Sequence, residues 1–131
     1  MDRLFLDANV LFSAAYRRNP SLVALWRLKD TTLCTSHYAL EEARVNLSDD
    51  AQRARLRSLS IRLELFDAAV QMLPKEISLP EKDVPIMLAA IEAQATHLLT
   101  GDMRHFGKYF GKKVMGILII SPGDYLRTRS R

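Results

Sequence analysis

Four acids stand where apolar segments stop or helical patterns start. Asp7 closes the run Arg3-Leu4-Phe5-Leu6, Asp83 opens a helical stretch, and Asp102 follows Gly101 after Thr96-His97-Leu98-Leu99-Thr100. Glu42 lies about two turns into a helical pattern that begins after Ser36. Taken singly, each has a plain structural reading. Asp7 and Asp83 suit helix caps, the latter with Pro85 in its first turn. Glu42 beside Glu41 suits a solvated pair, and Gly101-Asp102 suits a turn. Taken together, three or four carboxylates brought close repel one another unless a cation neutralises them. Hard ions such as Mg²⁺ and Mn²⁺ prefer carboxylate and water oxygens. A metal of this kind polarises a phosphoryl oxygen and acidifies a bound water, which suits phosphodiester chemistry.

The elements that position these acids alternate in type. Residues 3–6 read as a buried strand, followed by a helix carrying Val10, Leu11, Ala14 and Ala15. Asn19-Pro20-Ser21 interrupts it, and Ser21 is placed to cap a second helix with Leu22, Leu25, Trp26 and Leu28. Thr31–Thr35 is a second strand and Ser36 caps the helix after it. Residues 51–67 follow a helical pattern through Leu56, Leu59, Leu63 and Phe66. Val70-Gln71-Met72-Leu73 is a third strand candidate, Thr96–Thr100 a fourth and Gly116–Ile120 a fifth. Alternating helices and short apolar strands predict a mostly parallel sheet covered on both faces. In open sheets of this kind, ligands bind beyond the carboxyl ends of the strands, where Asp7 and Asp102 would sit.

Composition narrows the class. The 131 residues make one domain, 48% hydrophobic and 26% charged, which excludes a disordered or collagen-like chain. The last few residues are expected to form a flexible tail. One cysteine, Cys34, allows neither an internal disulfide nor a Cys-rich zinc site, in keeping with a reducing compartment. No apolar run approaches the ~20 residues of a membrane span, and the acid at Asp7 argues against a secretory signal. A cytoplasmic protein is expected. The net charge of +4 permits nucleic-acid contact without demanding it.

The segments Phe5-Leu6-Asp7-Ala8-Asn9-Val10-Leu11, Ser36 to Glu42, Asp83 to Ala90, and Thr100-Gly101-Asp102 with His105-Phe106 resemble the PIN-domain family. Their order and spacing match across nearly the whole chain. The resemblance is strongest to the small bacterial members that include VapC-type toxins. It implies a three-layer α/β/α fold around a mostly parallel sheet, and cleavage of RNA by a water that one or two Mg²⁺ or Mn²⁺ ions activate. Asp7, Glu42, Asp83 and Asp102 match the family's four acids and would be both catalytic residues and metal ligands. The spacing from Ser36 favours Glu42 over Glu41. Asn9 and Thr100 match polar positions that would support the carboxylates. Some members carry a further acid where this chain has His105, which brings no fixed negative charge; it would meet a phosphate, shuttle a proton, or remain a surface histidine. His37 and His97 read as structural.

Two other readings compete. Phosphatases of the HAD type share the opening strand and acid, but Asn9 stands where their general acid belongs and cannot give up a proton in that role. A non-catalytic PIN-like module that binds RNA or regulates is the second alternative. Arg17, Arg18, Arg53, Arg57, Lys112 and Lys113 are the candidate RNA contacts. A toxin also implies an antitoxin partner and allows a homodimer. The apolar residues of 21–29 and 51–66, Trp26 among them, are candidates for that groove, unless they pack into the domain's own core.

Overall fold

A computed structural model describes residues 1–67 and 72–129. Strand β1 (Asp2–Leu6) runs into α1 (Ala8–Tyr16); α2 (Pro20–Val23) continues as a 3₁₀ turn at Ala24–Arg27 and leads to β2 (Thr31–Ser36). Helices α3 (His37–Asn46) and α4 (Asp50–Ser60) precede β3 (Glu64–Phe66). A 3₁₀ turn at Glu81–Asp83 opens α5 (Val84–Glu92), which returns through β4 (His97–Leu99) and α6 (Met103–Phe106). The hairpin β5 (Lys113–Val114) and β6 (Ile117–Ile120) then ends in α7 (Pro122–Arg129).

The strands form one sheet in the order β3-β2-β1-β4-β6-β5, parallel except for β5. Helices cover both faces in three α/β/α layers, as expected. The reason is visible in β1, where Leu4, Phe5 and Leu6 are all fully buried although neighbours point to opposite faces. Leu98 and Leu99 repeat this in β4. The central strands β1 and β4 therefore end side by side, and the Asp7 N–H continues the ladder by donating to the Leu99 carbonyl at 3.0 Å. That places residues 7 and 100–102 next to each other at the carboxyl edge.

Three local expectations are corrected. The helix read over 51–67 stops at Ser60, and the chain re-enters the sheet as β3. Leu63 N–H donates to the Ser60 carbonyl to close the turn, so the helical spacing of Leu59, Leu63 and Phe66 outruns the helix itself. The strand place beside β2 thus goes to Glu64–Phe66. Of the strand expected at 70–73, Val70 and Gln71 lie outside the described residues, while Met72 and Leu73 are irregular. The second helix starts earlier and is shorter than read: Asn19, not Ser21, caps it through Leu22 N–H, with Pro20 as its first residue. Helix α7 ends at Arg129, and residues 130–131 of the expected tail lie outside the described residues.

Candidate functional site

Asp7 leaves β1 and caps α1, its Oδ1 accepting from Ala8 N–H at 2.7 Å. The cap reading of the residue is therefore correct but incomplete. Its Oδ2 also accepts from the Thr100 hydroxyl at 2.7 Å and from Asn9 Nδ2 at 3.1 Å. Asn9 donates to Thr100 Oγ1 as well, and its own Oδ1 accepts from Gly101 N–H at 2.9 Å. Asp102 N–H donates to Thr100 Oγ1 at 3.1 Å. Residues Asp7, Asn9, Thr100 and Asp102 so form one network across the two central strand ends.

Asp83 and Asp102 enter from the helices beyond. Asp83 precedes α5 but makes no side-chain cap, so the structure corrects that reading. It is only 6% exposed and its Oδ2 has no hydrogen-bond partner. Asp102 caps α6 through Oδ1, which accepts from His105 N–H at 3.1 Å. Between these two acids stands His105, with Nδ1 2.8 Å from Asp83 Oδ2 and 2.7 Å from Asp102 Oδ2. Both contacts are close but out of line for a hydrogen bond, leaving Nδ1 without a partner. His105 is accordingly part of the site rather than a surface histidine.

Glu42 faces the same cleft from α3, whereas Glu41 turns away to hold Arg44 at 2.9 and 2.6 Å. The cleft has a volume of about 320 Å³ and is lined by Asp7, Asn9, Glu42, Lys82, Asp83 and Asp102, among others. Donor atoms of Asp83, Asp102 and His105 come within 4.8 Å of one another. Asp7 and Glu42 stand around that tighter group rather than within it.

Burial and mutual repulsion mark these acids. Desolvation raises Asp7 from 3.8 to about 6, against the hydrogen bonds from Thr100 and Ala8, while Asp83 and Glu42 push it further up. Burial also raises Asp83; His105 and Lys82 oppose the shift and Asp102 and Glu42 add to it. A bound divalent cation would offset the mutual repulsion of these carboxylates. The donor set fits such an ion: carboxylate oxygens of Asp83 and Asp102 and the ring nitrogen of His105, of which Asp83 Oδ2 and His105 Nδ1 are buried without hydrogen-bond partners.

Two residues near the site carried no signal in the sequence. Lys82 lines the cleft and its carbonyl accepts from the exposed Tyr38 hydroxyl at 3.0 Å. A lysine beside an acid in a polar loop looks like any solvated charge. Of the six basic residues nominated for RNA, none lines this cleft. Arg18 lines a separate cleft, Arg53 donates to the Leu47 carbonyl, and Lys113 pairs with Leu118 on the sheet edge. Trp26 is buried, its indole N–H donating to the Leu59 carbonyl at 3.0 Å, so it belongs to the domain's own core. His97 packs edge-on against Tyr125, consistent with a structural role, and exposed His37 pairs with Asp67.

A sheet of this order with acids gathered at its central strand ends defines a class. The PIN domain model matches residues 3–104, and the chain belongs to that family. Among solved structures it is similar to VapBC2 from Rickettsia felis bound to a DNA fragment from their promoter, at 19% identity and TM-score 0.68, covering 91% of this chain and 98% of that one. It is also similar to VapBC-1 from nontypeable Haemophilus influenzae, at 15% identity and TM-score 0.59, covering 92% and 98%. FitAB bound to the IR36 DNA fragment gives 16% identity and TM-score 0.54, covering 92% and 95%. At these identities the likeness is one of fold. No curated protein matches the chain. Among the described residues no helix is long and apolar enough to cross a membrane.

Proposed function

We propose that the protein is a divalent-metal-dependent endoribonuclease and the toxin of a toxin–antitoxin pair. The observation that carries this reading is the convergence of Asp7, Glu42, Asp83 and Asp102 on one cleft in a PIN domain. Asp83 and Asp102 would hold a Mg²⁺ or Mn²⁺ ion directly, with Asp7 and Glu42 completing the acidic wall. The ion, when bound, supplies Lewis acidity toward a phosphodiester and acidifies a water. The chain's own residues do the rest. Thr100 and Asn9 fix the Asp7 carboxylate, and the α6 backbone fixes Asp102. Lys82 at the cleft mouth offers a cation to an RNA phosphate, and Tyr38 offers a ring on which an unstacked base can rest. The nominated basic residues would then act on RNA running beyond the cleft.

The antitoxin half of the reading has its own support. The similar structures are VapBC and FitAB assemblies. A second cleft of about 450 Å³ lies between α1, α2 and α4, lined by Ala14, Pro20, Val23 and Leu59 with Arg18 and Arg27 at its rim. Its apolar floor and basic rim suit an amphipathic, acidic segment of a partner.

End-group analysis of cleaved RNA tests the activity. Attack by water leaves no 2′,3′-cyclic phosphate, whereas attack by the ribose hydroxyl does. Manganese-dependent fragments lacking cyclic ends support the reading. RNA that is bound but never cut, across single-stranded and structured substrates, would favour the non-catalytic module instead.

A further inference from the structure

We propose that His105 Nδ1 is itself a ligand of the divalent ion, so that Asp83, Asp102 and His105 form one mixed nitrogen–oxygen site that prefers a transition ion such as Mn²⁺ to Mg²⁺. The inference rests on the metal-dependent reading above and assigns a specificity-determining residue within it.

The geometry separates a shared ion from a salt bridge. In a histidine–carboxylate hydrogen bond, one oxygen lies on the axis along which the ring N–H points. Here Asp83 Oδ2 and Asp102 Oδ2 both lie within 2.8 Å of Nδ1, and neither meets hydrogen-bond alignment. Cis ligands of an octahedral ion with bonds of about 2.1 Å stand about 3.0 Å apart, each well off the other's lone-pair axis. Two carboxylate oxygens within 2.8 Å of one ring nitrogen, with all three donors within 4.8 Å of one another, match the spacing that neighbouring ligands of one ion adopt. Burial adds to this: Asp83 is 6% exposed, and its Oδ2, turned to His105, has no hydrogen-bond partner. The Asp102 Oδ1 bond to His105 N–H holds the other oxygen and the imidazole in register.

The choice of ion follows from the donor. Imidazole suits borderline transition metals, while Mg²⁺ holds oxygen ligands and parts with water reluctantly. A carboxylate in the place of His105 would give an all-oxygen site with one more negative charge, which favours Mg²⁺ by comparison.

Pulsed electron paramagnetic resonance on the full chain loaded with Mn²⁺ alone reads the ligand directly. His105 groups with Asp83 and Asp102, whereas His37 pairs with Asp67 and His97 packs on Tyr125, so a ¹⁴N coupling to the bound ion reports His105. The wild type is expected to show that coupling, and His105→Asp and His105→Asn to lose it, the uncharged His105→Asn while still melting as a folded protein. In parallel titrations, the ratio of Mn²⁺ to Mg²⁺ affinity is expected to fall about tenfold in His105→Asp. Bound Mn²⁺ without nitrogen coupling, or an unchanged ratio, would overturn the assignment. Failure of the wild type to bind Mn²⁺ would overturn it together with the metal-dependent reading. Nitrogen-coupled Mn²⁺ in a protein that cuts no RNA would uphold the ligand and refute the nuclease.

Discussion

The Thr100 hydroxyl donates to Asp7 Oδ2 at 2.7 Å, joining two residues 93 positions apart at the ends of β1 and β4. Thr100 Oγ1 in turn accepts from Asn9 Nδ2 and from Asp102 N–H, so one hydroxyl ties the first acid to the last. Thr100→Val keeps the shape and removes these bonds. It should cost about 1–3 kcal/mol of stability by stranding buried polar groups. Mn²⁺ affinity should fall roughly 10–100-fold, with Thr100→Ser recovering most of both losses. Titration calorimetry and urea melts measure this pair of effects; intact affinity in Thr100→Val would mean that the hydroxyl positions nothing.

Asp7 should make the metal-free protein sensitive to pH. Its folded value of about 6 lies above the ordinary 3.8, chiefly through desolvation, so the folded state holds its proton more tightly than the unfolded chain. The contribution is fully present below about pH 4 and is lost as pH rises through about 6, a cost of about 3 kcal/mol. Asp7→Asn escapes that cost and can still cap α1. Without metal it should match or exceed wild-type stability at pH 7, the advantage vanishing toward pH 4. Metal at ~100 times its Kd should add about 2.7 kcal/mol to the wild type, and less to Asp7→Asn at the same concentration. A less stable Asp7→Asn at pH 7 in EDTA would make the residue a helix cap before anything else.

RNA affinity should fall with salt through phosphate contacts, and Lys82 is placed to make one of them. Lys82→Ala should lower the slope of log affinity against log salt by about 1. Alanine at Lys113, on the far sheet edge, should change it less. Equal slopes for wild type and Lys82→Ala would remove the lysine from the RNA path.

Cys34 offers a check on the core that is independent of the site. Its thiol is fully buried on β2, approaches the Leu4 carbonyl at 3.4 Å, and is pushed up to about 12 by burial. Thiol reagents should leave the native protein unmodified at pH 8 and react only as it unfolds. Rapid native labelling would contradict this packing.

Much of the site could be read in advance because strand ends and helix starts announce themselves locally. Leu4-Phe5-Leu6 must be buried, so Asp7 must stand at its edge; Leu98-Leu99-Thr100 places Asp102 by the same logic. Glu42 needed family spacing, since only the Glu41–Arg44 pairing in space shows which of two adjacent acids faces the cleft. What could not be read depends on contacts between distant segments. The closure of His105 on Asp83 joins α6 to the start of α5, and nothing near either residue encodes it. The β5–β6 turn is similar: Met115 and Gly116 both adopt positive φ, at 53° and 81°, without the Asn-Gly or Asp-Gly pair that usually signals such a hairpin. The helix expected over 51–67 failed for a related reason, because its last apolar residues serve a strand that only the sheet can define.

The most direct test of the account is cleavage of labelled single-stranded RNA by wild type and Asp7→Asn side by side, each with Mn²⁺ and with EDTA. Fragments are expected only in the lane that combines wild type with Mn²⁺. Cleavage that persists at wild-type rate in Asp7→Asn, or that continues in EDTA, would contradict it.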